Sequence, residues 1–459
     1  MAKKVKDSNL SIKERLEQAL IPNWDEPYKL PDNWCWVKLG SIASWGSGGT
    51  PSRKNPEYYI GNIPWVKTGE LNNSYIYETE EHISEKAVSN SNAKLFPINT
   101  VVIAIYGATI GKVGILGIEA TTNQACACGV CSSSIDYKYL FYYAISQRDI
   151  FISKGKGGAQ PNISQEVIKQ HEIPLPPLSE QQRIVARIES LFTKLDETKE
   201  KAQNVVDGFE TRKAAILHKA FSGELTAKWR EENDISIDSW ASVSISDVCT
   251  VNPKKIDTRN ISDDLKVSFF PMPALSEVYG AITEPQTRLL KEVKTGFTNF
   301  VEGDVVFAKI TPCMENGKSA VIGKLVNDIG YGTTEFYVLR CSEKAFNRYI
   351  YHLLRSKTFR DQAKQVMTGA VGQQRVPKSF IEHYVLLLPS ISEQKEIVSI
   401  LDRMYDSELK TTEIAEAVIE QVDIMKKAIL ARAFRGELGT NDPTEESAVE
   451  LLKTILIDG

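Results

Sequence analysis

Two short runs place a lysine behind a glycine at the end of a polar loop. They are Gly107-Ala108-Thr109-Ile110-Gly111-Lys112-Val113 and Glu315-Asn316-Gly317-Lys318-Ser319. A phosphate-cradling NTPase loop needs four residues between its glycines and a Ser or Thr after the lysine, so that backbone N–H groups hold the phosphates and the hydroxyl holds magnesium. The first run has three residues between its glycines and then Val113. The second has Pro312 where the leading glycine belongs. Neither supports nucleotide chemistry. Cys126, Cys128 and Cys131 also cluster, but a structural zinc site wants four ligands, as a rule in two separated pairs. The run Ala125-Cys126-Ala127-Cys128-Gly129-Val130 reads instead as a buried strand. The five histidines are scattered, and no nucleophile–base pairing stands out.

Asn55-Pro56-Glu57-Tyr58 comes close to the Asn-Pro-Pro-Tyr motif by which amino-methyltransferases hold a flipped adenine. Glu57 replaces the second proline, and no glycine-rich strand-to-helix turn precedes it to seat a methyl donor. A turn is the better reading. No catalytic, cofactor-binding or metal-binding residues are therefore assigned. What remains is a set of polar loops mixing amide, basic and hydroxyl side chains at corresponding places in two halves. Arg reads guanine, Asn and Gln read adenine, and Lys, Ser and Thr hold phosphates. The candidate DNA-contacting residues are Ser52, Arg53, Lys54, Lys112, Gln160 and Asn162 in the first half. In the second half they are Lys309, Lys318, Gln373, Gln374 and Arg375. Any one of these loops could equally be a solvated turn that supports the following helix. The case lies in recurrence with different residues.

The elements that position these loops repeat. The run from Ser179 (SEQQRIVARIESLF) returns 213 residues later from Ser392 (SEQKEIVSILDRMY), without a gap through Gly223-Glu224-Leu225 and Gly436-Glu437-Leu438. A packed helix resists length change far more than a loop does. Apolar residues follow a 3,4 spacing in both copies. The first seam runs Ile184, Ile188, Leu191, Leu195, Thr198, Ala202, Val205, Phe209, Arg212, Ile216. The second runs Ile397, Leu401, Met404, Glu408, Thr411, Ala415, Val418, Val422, Met425, Ile429. Heptad periodicity this long predicts two paired helices, each roughly 65 Å long. Ser179 and Ser392 are the expected N-caps, Gly223 and Gly436 the expected C′ glycines. Before each helix lies a looser repeat of short β-rich runs, Thr100 to Ala104 against Asp304 to Ala308, with helical stretches from Tyr139 and Tyr349. Each half reads as a globular α+β domain followed by a long helix. Lys228 to Asp234 reads as a charged linker, and residues 11–20 and 443–456 as short helices.

Composition bounds the rest. The 459 residues hold several cores' worth of apolar material, at 42% hydrophobic and 25% charged. No run approaches a transmembrane length, the N-terminus lacks the apolar core of a signal peptide, and seven cysteines suit a reducing cytoplasm. A net charge of −4 argues against coating nucleic acid by bulk positive charge.

Further motifs carry a resemblance. They are Leu30-Pro31 with Trp34 and Trp36, Gly49-Thr50-Pro51-Ser52, Ile63-Pro64-Trp65-Val66-Lys67-Thr68-Gly69-Glu70 and Gln160-Pro161-Asn162-Ile163-Ser164. The helix starts and ends quoted above belong with them, as does Thr311-Pro312-Cys313-Met314-Glu315-Asn316-Gly317-Lys318. Over essentially its whole length the chain resembles the specificity subunit of type I restriction–modification systems. The resemblance implies two similar α+β target-recognition domains joined by two long helices. Its segments are residues 1–27 (N-terminal helical), 28–177 (first domain), 178–226 (central helix), 227–390 (second domain), 391–438 (second helix) and 439–459 (helical tail). Each domain would read one half of a bipartite, asymmetric site on double-stranded DNA, with the helices setting the spacer. Two adenine methylation subunits and two motor-endonuclease subunits are the implied partners. S-adenosylmethionine, ATP and magnesium would belong to them, leaving this chain a non-catalytic subunit. Two identical methylation subunits acting on opposite strands require a two-fold across the DNA axis. The helices are thus expected to form an intramolecular antiparallel coiled coil with a pseudo-two-fold. The competing reading is a pseudo-dimeric scaffold whose globular heads bind proteins.

Overall fold

The computed structural model describes residues 10–157, 161–277, 280–370 and 372–458. Two compact units result, residues 1–201 with 418–459 and residues 202–417. The division cuts across both long helices. Each unit keeps the start of one helix and the end of the other.

The same sheet plan is built twice. Unit 1 has a five-stranded sheet in the order Ala43–Ser47, Cys126–Cys131, Val101–Ala104, Val113–Leu116, Tyr75–Ile76. Unit 2 has Cys249–Val251, Phe336–Cys341, Val305–Ala308, Ser319–Val321 in the matching order. Each unit adds a four-stranded sheet and a two-stranded antiparallel pair, Cys35–Lys38 with Glu172–Leu175 and Ala241–Ser244 with Val385–Leu388. Continuous apolar runs make the central strands, because these strands are buried on both faces. Val101 and Ile103 enter one core layer while Val102 and Ala104 enter another. Val305 and Phe307 divide from Val306 in the same way.

The main core layer of each unit closes on the long helices. In unit 1 it takes Ile184, Val185 and Ile188 from the first helix and Leu430, Ala433 and Phe434 from the second. In unit 2 it takes Ile216, Leu217 and Ala220 with Ile397, Val398 and Leu401. Within each unit the start of one helix therefore lies beside the end of the other, which is antiparallel pairing. Ion pairs flank the seam: Lys199 with Asp423 at 2.8 Å and Lys426 with Asp196 in unit 1. The seam is thin, since only two helices make it. Ala202, Ala415 and Val422 are buried, while Thr198, Met404, Thr411 and Met425 stay exposed.

The second helix is continuous from Ile391 to Ala433, but the first is divided into Leu178–Asp207 and Phe209–Phe221. Gly208 is the reason. Its missing Cβ leaves room for Arg212, whose Nη1 would stand 2.4 Å from one. Arg212 Nη2 donates to the Val205 carbonyl at 2.9 Å, and Nε donates to Glu408 at 2.7 Å. Backbone bonds still cross the break, from Gly208 to Asn204 and from Arg212 to Gly208. The charged members of the two seams, Arg212 and Glu408, are thus each other's partners.

The Ser-Glu-Gln run at each helix start is a latch. Glu180 is fully buried and accepts from Trp34 Nε1 at 2.8 Å, Asn441 Nδ2 at 2.9 Å and Thr440 Oγ1 at 3.3 Å. Glu393, equally buried, accepts from Trp240 Nε1 at 2.9 Å, Thr226 Oγ1 at 2.7 Å and Arg230 Nη1 at 2.7 Å. Each carboxylate ties the first strand of its domain to one helix start and to the chain leaving the other helix. The next residue pins the domain. Gln181 accepts from the Asp136 N–H and donates to the Pro176 carbonyl, and Gln394 does the same with Phe346 and Pro389. Burial pushes the Glu180 carboxyl up, against the pull of its three donors.

Two local expectations are corrected. The helices begin at Leu178 and Ile391, so Ser179 and Ser392 lie inside them, and the cap of the second is Ser390 Oγ on the Glu393 N–H at 3.3 Å. Ser179 Oγ instead donates to Glu445. The charged run after the first helix is no linker: Ala227–Glu232 is helical and carries buried Arg230 into the latch. Gly223 and Gly436 do end the helices with φ of +84° and +74°. Replacing Glu393 by alanine strands the Arg230 guanidinium without its anion, and removing one partner of a buried pair costs about 3–5 kcal/mol. Glu180→Ala frees only neutral donors, so its loss in denaturant unfolding is expected to be the smaller of the two.

Candidate nucleic-acid interface

The loops singled out by sequence converge in pairs. In unit 1 the backbone after Val101–Ala104 meets the segment before the helix Gln165–Lys169. Ile163 N–H donates to Ile105 O at 3.0 Å, Gly107 N–H donates to Pro161 O at 2.8 Å, and Tyr106 bridges Asn162. Unit 2 repeats the pattern. Val376 N–H donates to Lys309 O at 2.9 Å, Thr311 N–H donates to Gln374 O at 3.0 Å, and Ile310 bridges Arg375. The glycine–lysine turn then closes alike in both. Ala104 N–H donates to Lys112 O and Ala308 N–H to Lys318 O, each at 2.9 Å. Gly111 and Gly317 have φ of +76° and +72°, which favours glycine. A cation backs each turn: Arg148 packs on Gly111 and Arg360 on Gly317. Both arginines lie on helices well apart from the loops in sequence, and no local spacing marks them.

Lys112, Asn162, Lys309, Lys318, Gln374 and Arg375 thus belong to these paired loops, half-buried except for exposed Asn162. Gln373 is exposed and its carbonyl accepts from Arg375. Gln160 lies outside the described residues. Ser52, Arg53 and Lys54 sit elsewhere, on the turn beside the four-stranded sheet of unit 1, where all three are exposed. Arg53 is held there by Glu81 and by the Tyr59 ring at 4.0 Å.

Neither arginine is free in the way expected of it. Arg375 meets Glu335 through two hydrogen bonds, 2.9 and 2.8 Å. That bond holds the Glu335 carboxyl below the usual range. Lys309 lies over the Tyr337 ring at 5.2 Å, and burial lowers its ammonium against the opposing pull of Glu335. The Cys126–Cys131 run is the buried strand anticipated, with burial pushing the Cys128 thiol up to about 12. Among the described residues no three His, Cys, Asp or Glu side chains converge as a metal site.

The model of the type I restriction modification DNA specificity domain matches twice, over residues 31–206 and 237–421. The chain belongs to this family. Its two specificity domains coincide with the two halves of the sheet repeat. The specificity subunit of the Escherichia coli type I restriction enzyme EcoAI is 32% identical over 260 residues, covering 48% of this chain and 44% of that protein. The alignment with the EcoEI subunit, also from E. coli, likewise spans 43% of its partner, under half its length. The EcoKI specificity subunit of E. coli K12 is 22% identical over 89% of this chain and 90% of its own. The crystal structure of the HsdS subunit from Thermoanaerobacter tengcongensis shares the fold at 19% identity. Its TM-score is 0.62, over 90% of this chain and all of that one. No described helix is long and apolar enough to cross a membrane.

Between the first specificity domain's loops sits His171, buried against Phe151. Lys154 Nζ donates to its Nδ1 at 3.1 Å, which leaves the proton on Nε2, facing Gln147 Oε1 at 3.2 Å. Burial first, then Lys154, lowers its pKa to about 4. A neutral imidazole forms no ion pair with Glu172, 3.7 Å away. Because the folded pKa lies below the ordinary 6.5, the unfolded chain binds the extra proton. This contribution is complete above pH 6.5 and is lost as pH falls towards 4, by roughly 3 kcal/mol at most. His171→Gln is expected to flatten that part of the melting-temperature profile; an unchanged slope would show that His171 is not its source.

Proposed function

We propose that this chain is the DNA-recognition subunit of a type I restriction–modification complex. Each specificity domain reads one half of a bipartite, asymmetric site on double-stranded DNA. The observation that carries the reading is the paired-loop geometry. The same backbone bonds are made twice, while the side chains they present differ: Asn162 against Arg375, Tyr106 against Ile310. A fixed frame with changed polar side chains is what two readers of two different sequences require. The relatives are named specificity subunits, and the matched family is a DNA specificity domain, which does not favour a protein-binding scaffold.

The long helices set the spacer between half-sites and dock two adenine methylation subunits, with two motor-endonuclease subunits completing the complex in the cytoplasm. Methyl transfer from S-adenosylmethionine and ATP- and magnesium-dependent work fall to those partners, and this chain is non-catalytic. With a net charge of −4, the chain alone has little to offer phosphates in bulk.

Two measurements test the proposal by mapping methylated adenines in cells carrying the whole system. Exchanging residues 28–175 for the matching domain of a relative should change one half of the motif only; a change in both halves would contradict independent reading. Removing one heptad from each long helix at equivalent places shortens each by about 10 Å, so the spacer should lose about three base pairs. An unchanged spacer would refute the ruler.

A further inference from the structure

Arg53 and Arg375 are both bound to a carboxylate, but through different edges of the guanidinium. Arg53 spends both terminal nitrogens on Glu81, Nη1 at 2.6 Å and Nη2 at 3.1 Å, and its flat face lies on Tyr59 and Trp65. Arg375 spends Nε on Glu335 Oε2 at 2.9 Å and one N–H of Nη2 on Oε1 at 2.8 Å. Nη1 gives one N–H to the Gln373 carbonyl at 3.0 Å. Of five guanidinium N–H groups, three are committed. One on Nη1 and one on Nη2 remain.

Both partners stand on fixed backbone. Glu335 opens the strand Phe336–Cys341, takes the Lys309 N–H on its carbonyl and donates its own N–H to Thr333 Oγ1 at 3.2 Å. Arg375 exchanges backbone hydrogen bonds with Thr368 at 2.8 and 3.0 Å. The arginine side chain is 43% exposed although its carboxylate partner is only 24% exposed. An arginine so held loses little freedom on contact with a ligand.

Resting on the reading of the paired loops as a DNA surface, we infer that Glu335 is a positioning residue that aims Arg375 at a guanine in the half-site read by unit 2. Arg53, its terminal edge closed, holds its own turn together and reads no base. Guanine offers N7 and O6, two adjacent acceptors, to a pair of N–H donors. Adenine offers N7 beside a donor and so fits only half of the pair. Glu335 also stops the guanidinium from turning the same two donors towards a nearby phosphate.

The test maps methylation by the assembled complex over a library in which each position of both half-sites is varied. Arg375→Lys keeps the charge but removes the paired donors. It should lower discrimination for guanine at one position of one half-site by roughly 10- to 100-fold. Glu335→Gln, nearly the same shape, should relax the same position and no other, an effect that a structural ion pair would not produce. Arg53→Lys should leave both halves of the motif as they are. Equal loss at every library member with Arg375→Lys would mean a phosphate contact and overturn the inference. So would a half-site with no guanine, or a motif altered by Arg53→Lys. The exchange of residues 28–175, run in the same assay, separates the two levels. If the exchange changes half the motif but Arg375→Lys relaxes nothing, only the inference fails. If the exchange changes nothing, the reading beneath it fails.

Discussion

A carboxylate with no solvent must be surrounded by donors, and this requirement organises each unit. Glu180 and Glu393 are fully buried, and an unpaired charge there would cost several kcal/mol. The donors that satisfy each come from two stretches of chain remote from the helix that carries the acid: an indole just before the first domain strand, and residues just past the end of the other helix. These stretches must meet at one point or the charge is stranded. Each long helix carries an acid at its start and leads at its end to the donors of the other latch. A helix that changed length alone would strain the shared seam, where Arg212 has to find Glu408. The ungapped repeat of 213 residues is the sequence trace of that constraint.

The two latches differ in how the third donor is supplied. Unit 2 uses a full cation, Arg230, which also donates to the Gly223 carbonyl at the end of the first helix. Unit 1 uses only neutral donors on the carboxylate and places its cation one turn away, Arg183 on Glu445 at 2.7 Å. Both settle the same problem, closing a helix end against a domain, with charges moved by a few ångströms. The paired loops show the opposite division. Their backbone bonds are conserved between the units to within tenths of an ångström, and the side chains change. In the loops the backbone that closes them is held alike, and the side chains it carries are free to differ.

That division also explains what could be read from the sequence. The repeat, the heptad seam, the buried cysteine strand and the recurrence of glycine–lysine turns and amide-rich loops were all legible, because each rests on local spacing or on self-comparison. The antiparallel direction followed from the family resemblance and its two-fold, and that the two kinds of loop meet was not legible. The two charged seam positions looked like exceptions to the apolar pattern, yet they turned out to be partners. What was not legible is long-range and polar. Glu335 meets Arg375 across 40 residues and Glu393 meets Arg230 across 163, and no local pattern announces either pair. Lys228 to Asp234 looked like a linker because it is charged, but a single arginine in it is the part that matters. Gly208 was overlooked because one glycine hardly disturbs a heptad count.

Charge pairing bears finally on specificity itself. A free arginine attracts any phosphate, and such attraction raises affinity for every DNA sequence alike. In this chain Arg53 and Arg375 are each already paired with a carboxylate, and the net charge is negative. Both features weaken indiscriminate binding. What matters in a genome is the ratio of specific to non-specific affinity rather than affinity alone. A guanidinium already neutralised on one edge gains little from a phosphate but still gains from two well-placed base acceptors on the other. On the proposed reading, pairing a base-contacting arginine with an acid therefore trades total affinity for selectivity.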